Sequence, residues 1–195
     1  LATTAHKLYG PKGVGFLYVR QKNPKVNIEM QIDGGGHEKG LRSGTLPVPL
    51  IVGFGRAAEI SLKKRESEYN ILKNLRGSLF RGIKNQQPDV IVNGDIKSGL
   101  SHNLNLCFPG LDSESLIMKM KGIACSAGSA CSSANLEPSH VIKALGRNNE
   151  LALSAIRFSV GRFNTIEEID SAIIEINSVV KRIKSSKQKR RRTKF

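Results

Sequence analysis

"LIVGFGRAAEISLKKRESEYNILKNLRGSLFRGI", residues Leu50–Ile83, is the stretch that decides the fold. Apolar residues recur along it at three- and four-residue steps, which is the spacing of one face of an α-helix. These residues are Ile51, Phe54, Ala57, Ile60, Leu72, Leu75, Leu79 and Phe80. The stretch therefore predicts one long helix, or two helices, that link two lobes of the chain.

Downstream of this helix, short strand-like stretches alternate with helical ones. Strands are predicted for "DVIVNG" (Asp89–Gly94), "NLNLCF" (Asn103–Phe108) and "AIRFSVG" (Ala155–Gly161), and "GIACSAG" (Gly122–Gly128) begins as a strand. In "NLNLCF" the large apolar residues alternate with smaller or polar ones, the period of a half-buried strand. With helices between the strands, the pattern predicts a small α+β domain over residues 87–184.

End signals locate three helices in this region. Asp112 is placed to cap the first helix, because a carboxylate there accepts a hydrogen bond from a free N–H of the first turn. The second helix has Pro138 near its start and Gly146 just after its end. Thr165 and Glu168 have the spacing of a capping box at the start of the third helix.

Upstream of the long helix, residues 1–47 look like the end of a larger, incomplete domain. "VGFLYV" (Val14–Val19) predicts a strand behind the turn signal "GPKG". "GGGHEKGLRSGTLPVP" (Gly34–Pro49) is too rich in glycine for regular structure. The chain opens without methionine on residues already dense in structural signals, so we expect it to begin inside a larger protein or to have lost an upstream part.

The basic character of the chain is concentrated at its end. The net charge is +15, and nine of the 31 Lys and Arg residues lie from Lys181 onward with no acidic residue among them, which leaves +6 on the rest. We predict a disordered basic tail over residues 185–195, either a solvated end or a site for an anionic partner such as RNA, a membrane or an acidic protein. The modest charge elsewhere argues against a nucleic-acid-binding protein. The sequence has no apolar run of about twenty residues, so no membrane-spanning helix is predicted.

The three cysteines point to a reducing compartment. Cys107, Cys125 and Cys131 are odd in number and form no CxxC pair, which argues against a disulfide framework and against a zinc site. Cys107 and Cys125 lie on strand patterns and are expected to be buried and inert. Cys131 is surrounded by alanine, glycine and serine, so it is either a third inert thiol or an exposed, reactive one.

Other residues have two interpretations each. Lys7 stands beside His6 at a sharp turn and is either a Schiff-base amine or a surface lysine; Lys12 on the same turn is either a phosphate contact or a surface lysine. The stretch Gly34–Thr45, called here the glycine-rich loop, either binds a phosphate or is a plain turn. Arg157, between apolar neighbours on a strand, either binds a carboxylate or forms a structural salt bridge.

Taken together, four blocks resemble one family. "AHKLYGPKGVGFLYVR", "GGGHEKGLRSGTLPV", "GSACSSANLEPSHVIKALG" and "IRFSVGRFNTIEEID" are similar to successive signatures of the cysteine desulfurases, pyridoxal-phosphate (PLP) enzymes of the class V aminotransferase group that supply sulfur for iron–sulfur clusters. The resemblance implies the α/β fold of fold-type I PLP-dependent transferases. It assigns 1–47 to the large domain, 48–86 to a linking helix, and a long mobile cysteine loop to about 125–137.

The resemblance also assigns the cofactor residues. Lys7 is implied to bind PLP as a Schiff base and later to move protons at the substrate α-carbon. His6 and Thr4 lie at the cofactor, with Thr4 towards its phosphate. Thr45 is implied to reach the phosphate of the neighbouring subunit's cofactor, which makes the protein a homodimer.

Substrate and sulfur transfer follow in the same way. Arg157 is implied to bind the carboxylate of L-cysteine, and Cys131 to take its sulfur as a persulfide, leaving L-alanine. The persulfide passes to an iron–sulfur scaffold or another acceptor protein, and Cys131 is the residue that would transiently ligate a cluster; no other metal site is expected. The implied compartment is the bacterial cytoplasm or the mitochondrial matrix.

The family's upstream half, which supplies further cofactor contacts, has no counterpart in these residues. We therefore expect an incomplete cofactor site in this chain alone. The alternative is a truncated, catalytically incomplete relative that acts as a dimerisation module or as a sulfur- or anion-binding module.

Overall fold

The computed structural model describes residues 1–127 and 137–192. The chain divides into two compact units, Leu1–Glu66 and Ser67–Phe195. The boundary falls inside helix α1, Val48–Gln86, so each unit contains part of that helix. The sequence-based domain limits placed the whole helix between the two domains instead.

In the first unit, a small sheet precedes α1. Strands β1 (Ala2–Thr4) and β2 (Gly15–Leu17) pair antiparallel, and within the described residues no third strand joins them. β2 is shorter than predicted. A 3-10 turn, Ala5–Leu8, follows β1, and a second one, Glu38–Gly40, is the one regular segment of the glycine-rich loop.

Helix α1 is a single helix rather than two. Pro49 lies in its first turn, where a missing N–H costs nothing because that group would have no partner within the helix. The N–H of Ile51 donates to the Pro47 carbonyl oxygen at 3.1 Å and so closes the first turn. The predicted helical periodicity is therefore confirmed over the full stretch Leu50–Ile83.

The second unit is built on a three-stranded antiparallel sheet. Its strands are β3 (Ile91–Val92), β4 (Asn103–Cys107) and β5 (Ala155–Ser159), with β4 in the middle. All three were predicted. The prediction of a strand that begins at Gly122 is wrong over residues 122–127: within this described part only Ser126 pairs, through an isolated bridge to Arg157 in β5.

Four helices complete the described part of this unit: α2 (Ser113–Lys119), α3 (His140–Ala144), α4 (Asn149–Leu153) and α5 (Ile166–Arg192). The Asp112 carboxylate accepts from the Ser115 N–H at 2.8 Å, as the sequence predicted. The capping box is also present. The Thr165 N–H donates to a Glu168 carboxylate oxygen at 3.1 Å, and the Glu168 N–H donates to the Thr165 hydroxyl at 3.3 Å.

Two helical features differ from prediction. Helix α4 was not predicted; the Asn148 side chain caps it by accepting from the Leu151 N–H at 2.9 Å. Helix α5 continues to Arg192, so the prediction of a disordered tail from residue 185 is wrong over the described part of that tail. Lys, Arg and Gln are good helix formers, and α5 contains neither glycine nor proline that would end it.

The sheet of the second unit separates two clusters of buried side chains. The larger cluster packs one face of the sheet against α1, α2 and α5 and includes Leu79, Leu106, Ile156 and Val179. The smaller one packs Cys107 and Ala155 on the other face against α3 and α4. Among the described residues, no helix is long and apolar enough to cross a membrane.

Candidate functional site

Lys7 lies exposed on the 3-10 turn that follows β1. Within the described residues, its ammonium group makes no hydrogen bond and no ion pair, and the same holds for Lys12 on the neighbouring turn. The Lys7 amine is therefore open to a ligand. Its local position follows from the turn, which ends at Tyr9 in the left-handed conformation with φ 62°.

Thr4 and His6 form a hydrogen-bonded pair directly before Lys7. The Thr4 hydroxyl oxygen lies 3.0 Å from His6 Nδ1 and 3.3 Å from the Val14 carbonyl oxygen. A hydroxyl has one proton. Both contacts are satisfied together when Thr4 donates to Val14 and His6 donates from Nδ1, which leaves Nε2 of a neutral His6 as an acceptor.

Two glycines allow the chain to return close to this turn. A Cβ added at Gly15 would lie 2.6 Å from the Thr3 carbonyl oxygen, so a side chain there would push β1 and β2 apart. A Cβ at Gly10 would lie 3.0 Å from Ala5, whose carbonyl accepts the Gly10 N–H. The short stretch around "YGPKGVG" therefore serves to hold the Lys7 turn in place.

The glycine-rich loop uses much of its hydrogen-bonding capacity on itself. The Gly36 N–H donates to the hydroxyl of the buried Ser43 at 3.2 Å, and the Gly44 N–H donates to His37 Nδ1 at 3.4 Å. Because these two N–H groups donate within the loop, they support its interpretation as a plain turn rather than as a phosphate-binding loop. Thr45 follows Gly44 and is exposed. No hydrogen bond joins Thr45 to Thr4, His6 or Lys7 in the described structure.

Arg157 lies in the second unit, on β5, with an exposed side chain. Its guanidinium group forms no salt bridge within the described residues, so the structural salt-bridge interpretation receives no support there. Its backbone is held on both sides, because Asn105 of β4 and Ser126 both pair with it. The side chain therefore projects from a fixed point on the sheet.

The cysteines differ in their surroundings. Cys107 is fully buried and accepts a hydrogen bond from the Asn93 amide at 3.0 Å. Cys125 is half-buried against the larger core cluster, and this burial raises the pKa of its thiol. Cys131 and most of the predicted cysteine loop lie outside the described residues.

Of the residues expected at the site, the structure brings together Thr4, His6 and Lys7.

A row of polar side chains next to Arg157 was not recognised in the sequence. Asn93 and Asn105 are hydrogen-bonded to each other at 2.7 Å, and Arg147 donates from Nε to Asn93 Oδ1 at 2.9 Å. The alternation in "NLNLCF" predicted that Asn105 lies on the face of the strand opposite to that of the leucines. The contact between Arg147 and Asn93, 54 residues apart, has no signal in the sequence.

Comparison with known proteins supports the family resemblance. The model of the family described as aminotransferase class-V matches residues 1–171. The chain is 52% identical over 184 residues to the cysteine desulfurase IscS of Klebsiella pneumoniae subsp. pneumoniae, and 53% identical over 184 residues to the cysteine desulfurase IscS of Photorhabdus laumondii subsp. laumondii. Each match covers 94% of this chain and 45% of the relative, so the chain spans less than half the length of these proteins.

Solved structures agree in fold. A structure described as a NifS-like protein superposes with a TM-score of 0.80 at 33% identity, covering 92% of this chain and 46% of that one. DndA from Streptomyces lividans superposes with a TM-score of 0.61 at 32% identity, covering 81% of this chain and 45% of that one. The predicted α/β fold class is thereby confirmed. With a family model that matches most of its length, the chain belongs to the aminotransferase class-V family.

Proposed function

We propose that this chain carries the cofactor-binding lysine, the substrate-binding arginine and the sulfur-accepting cysteine of a PLP-dependent cysteine desulfurase. The observation that carries the proposal is the exposed Lys7 amine, held beside Thr4 and His6 on a turn that glycines lock, in a chain about half identical to proteins named cysteine desulfurase. A primary amine without a partner in the described structure is the group that an aldehyde requires.

The residues of the Lys7 turn fit PLP chemically. Lys7 would hold the aldehyde carbon through its amine, and the Thr4 hydroxyl, which donates to the Val14 carbonyl oxygen in this structure, would turn its proton towards the phosphate. When bound, PLP supplies an electron sink for negative charge that develops at the substrate α-carbon. Lys7 would then serve as the base that moves a proton at that carbon, and the Thr4 hydroxyl, 3.0 Å from His6 Nδ1, would hold the His6 ring in its orientation.

Sulfur transfer would use residues of the second unit. The Arg157 guanidinium matches the planar carboxylate of L-cysteine and can bind it with two parallel hydrogen bonds. The thiolate of Cys131 attacks the substrate sulfur, so that an S–S bond forms as the C–S bond breaks. The electron pair of the C–S bond stays on carbon and takes up a proton, which gives L-alanine, while Cys131 becomes a persulfide.

The wider assembly follows from the same proposal. Thr45, exposed at the end of the glycine-rich loop, would contact the cofactor phosphate of a second subunit in a homodimer. The persulfide would pass to an iron–sulfur scaffold or another acceptor protein. We place the reaction in the bacterial cytoplasm or the mitochondrial matrix, where thiols remain reduced.

The test is the visible absorbance of the purified chain after addition of PLP. We expect a band of the lysine-bound cofactor in the wild type that disappears in Lys7→Ala. Lys12→Ala is the matched control, because Lys12 is another exposed lysine on the adjoining turn and should leave the band unchanged. A band that survives in Lys7→Ala contradicts the proposal. A spectrum without a band in the wild type favours the non-catalytic alternative.

A further inference from the structure

We propose that Asn105 is a second binding residue for the substrate carboxylate, beside Arg157, and that Arg147 orients its amide through Asn93. The inference rests on the proposed function, since that function assigns the carboxylate to Arg157. It concerns the face of the sheet in the second unit that lies opposite the larger core cluster.

The sheet register brings Asn105 and Arg157 together. The two residues are directly opposite each other on β4 and β5, so their side chains emerge on the same face. Arg157 exchanges its backbone hydrogen bonds with Ser126, at 2.7 and 3.2 Å, and not with Asn105. The Asn105–Arg157 pair is therefore a narrow, non-hydrogen-bonded pair, in which opposite side chains approach most closely.

The orientation of the Asn93 amide is fixed by Arg147. A guanidinium group can only donate hydrogen bonds, so the Asn93 atom that lies 2.9 Å from Arg147 Nε must be the amide oxygen. The Asn93 nitrogen then faces Asn105, 2.7 Å away, and Cys107, 3.0 Å away. A second Arg147 hydrogen bond, to the Val92 carbonyl oxygen at 2.8 Å, holds the guanidinium in place.

The same logic fixes the Asn105 amide. Because Asn93 donates to it, the atom of Asn105 that faces β3 must be its oxygen. The Asn105 amide nitrogen is left with two N–H donors that form no hydrogen bond within the described residues. Its other cross-strand neighbour is Arg157.

This arrangement suits a carboxylate. Asn105 is half-buried and Arg157 is exposed, so a ligand can reach both side chains from solvent. An ionised carboxylate has about four acceptor sites, more than one guanidinium fills. A neutral donor beside the guanidinium can occupy one of the remaining sites, and a pre-oriented amide loses little freedom when it does so.

The experiment is a titration of the 15N-labelled full chain with L-alanine, followed by NMR of the side-chain N–H signals. L-Alaninol, which lacks the carboxylate, is the matched ligand control. We expect L-alanine and not L-alaninol to shift the Asn105 amide and Arg157 Nε signals together. Asn105→Ala should raise the Kd for L-alanine about tenfold, as expected for a hydrogen bond to a charged group.

Two further variants keep the result interpretable. Asn105→Asp retains the oxygen that accepts from Asn93 but replaces the donors by a negative charge, so it should abolish binding without loss of fold. Asn103→Ala changes the same residue type on the same strand and face, two positions away, and should change the Kd less than twofold.

The role of Arg147 has its own test. Arg147→Lys keeps the positive charge but cannot donate to both Asn93 and the Val92 carbonyl oxygen, so we expect it to shift the Asn105 amide signals of the free chain and to raise the Kd about threefold. Wild-type signals and affinity in Arg147→Lys would overturn the orienting role.

The possible failures are distinguishable. If Arg157→Ala abolishes binding while Asn105→Ala changes the Kd less than twofold, or if Asn103→Ala weakens binding as much as Asn105→Ala, the inference about Asn105 is overturned and the proposed function stands. If the wild type shows no carboxylate-dependent shift, or Arg157→Ala binds normally, the carboxylate site of the proposed function is overturned as well.

Discussion

Burial limits the chemistry available to two of the three thiols. Cys107 is fully buried and hydrogen-bonded to Asn93, so a substrate cannot reach its sulfur without disrupting the sheet. Burial raises the pKa of Cys125, so less of it is thiolate at neutral pH, and thiolate is the nucleophilic form. Cys107 therefore lacks the accessible sulfur, and Cys125 the readily ionised sulfur, that sulfur transfer requires.

We therefore predict a distinct pattern among serine variants. Cys131→Ser should lose essentially all release of sulfide from L-cysteine in the PLP-loaded protein, whereas Cys107→Ser and Cys125→Ser should keep at least about half of it. Sulfide is measured in the presence of a reductant, with PLP absorbance as a control for cofactor binding. Loss of activity in Cys125→Ser with normal cofactor binding would contradict the assignment of Cys131 as the nucleophile.

At the level of elements, the start of α2 depends on one carboxylate. Hydrogen bonds from the Ser115 hydroxyl, which has the largest effect, and from the Ser115 N–H lower the pKa of Asp112 below its ordinary value of 3.8, because they favour the ionised form. The stabilisation is therefore fully present above the ordinary pKa and is lost as the pH falls through the lowered one. Asp112→Ala should cost about 1 kcal/mol at pH 7, the usual contribution of a helix cap.

Asp112→Asn separates the charge from the cap. Asparagine still accepts the Ser115 N–H but does not ionise, so this variant should lose less stability at pH 7 than Asp112→Ala and should show a weaker dependence of stability on acid. The measurement is urea unfolding at pH 7 and at pH 3. An acid dependence in Asp112→Asn equal to that of the wild type would show that Asp112 is not responsible for it.

The elements that the sequence predicted are those with local signals. α1 has helical periodicity, α2 and α5 have caps, and β4 has alternation, all within a few residues of one another. Helix α4 was not predicted because a five-residue segment is too short to show helical periodicity, although Asn148 is a recognisable cap residue at its start. The position at which α5 ends was not predicted, because a run of charged residues is typical of a solvated tail and is equally compatible with a helix.

The candidate site divides along the same line. The Thr4, His6 and Lys7 turn is local in sequence, and its residues could be proposed from one short block. The relation between Asn105 and Arg157 depends on strand pairing across 52 residues, which no spacing in the sequence specifies. Residues that are neighbours only because two strands pair in a particular register can be recognised only once the structure is known.

At the scale of the whole molecule, the two units differ in how well their sheets are supported. In the second unit the middle strand β4 is paired on both sides, and its Leu104 and Leu106 are at most 2% exposed. In the first unit β1 and β2 pair only with each other among the described residues, and Phe16 and Leu17 are 50% and 58% exposed. A two-stranded sheet is marginally stable by itself.

Native-state hydrogen exchange should therefore distinguish the units. Protection reflects the free energy of local opening, which is highest in buried, doubly paired strands. We predict that β4 amides exchange at least about a hundredfold more slowly than β1 and β2 amides in the isolated chain. Leu106→Ala, which removes buried side-chain volume from the core, should speed exchange in β4 while leaving β1 and β2 unchanged. Equal protection in the two sheets would contradict this account, because it would require β1 and β2 to be covered as completely as the core strand.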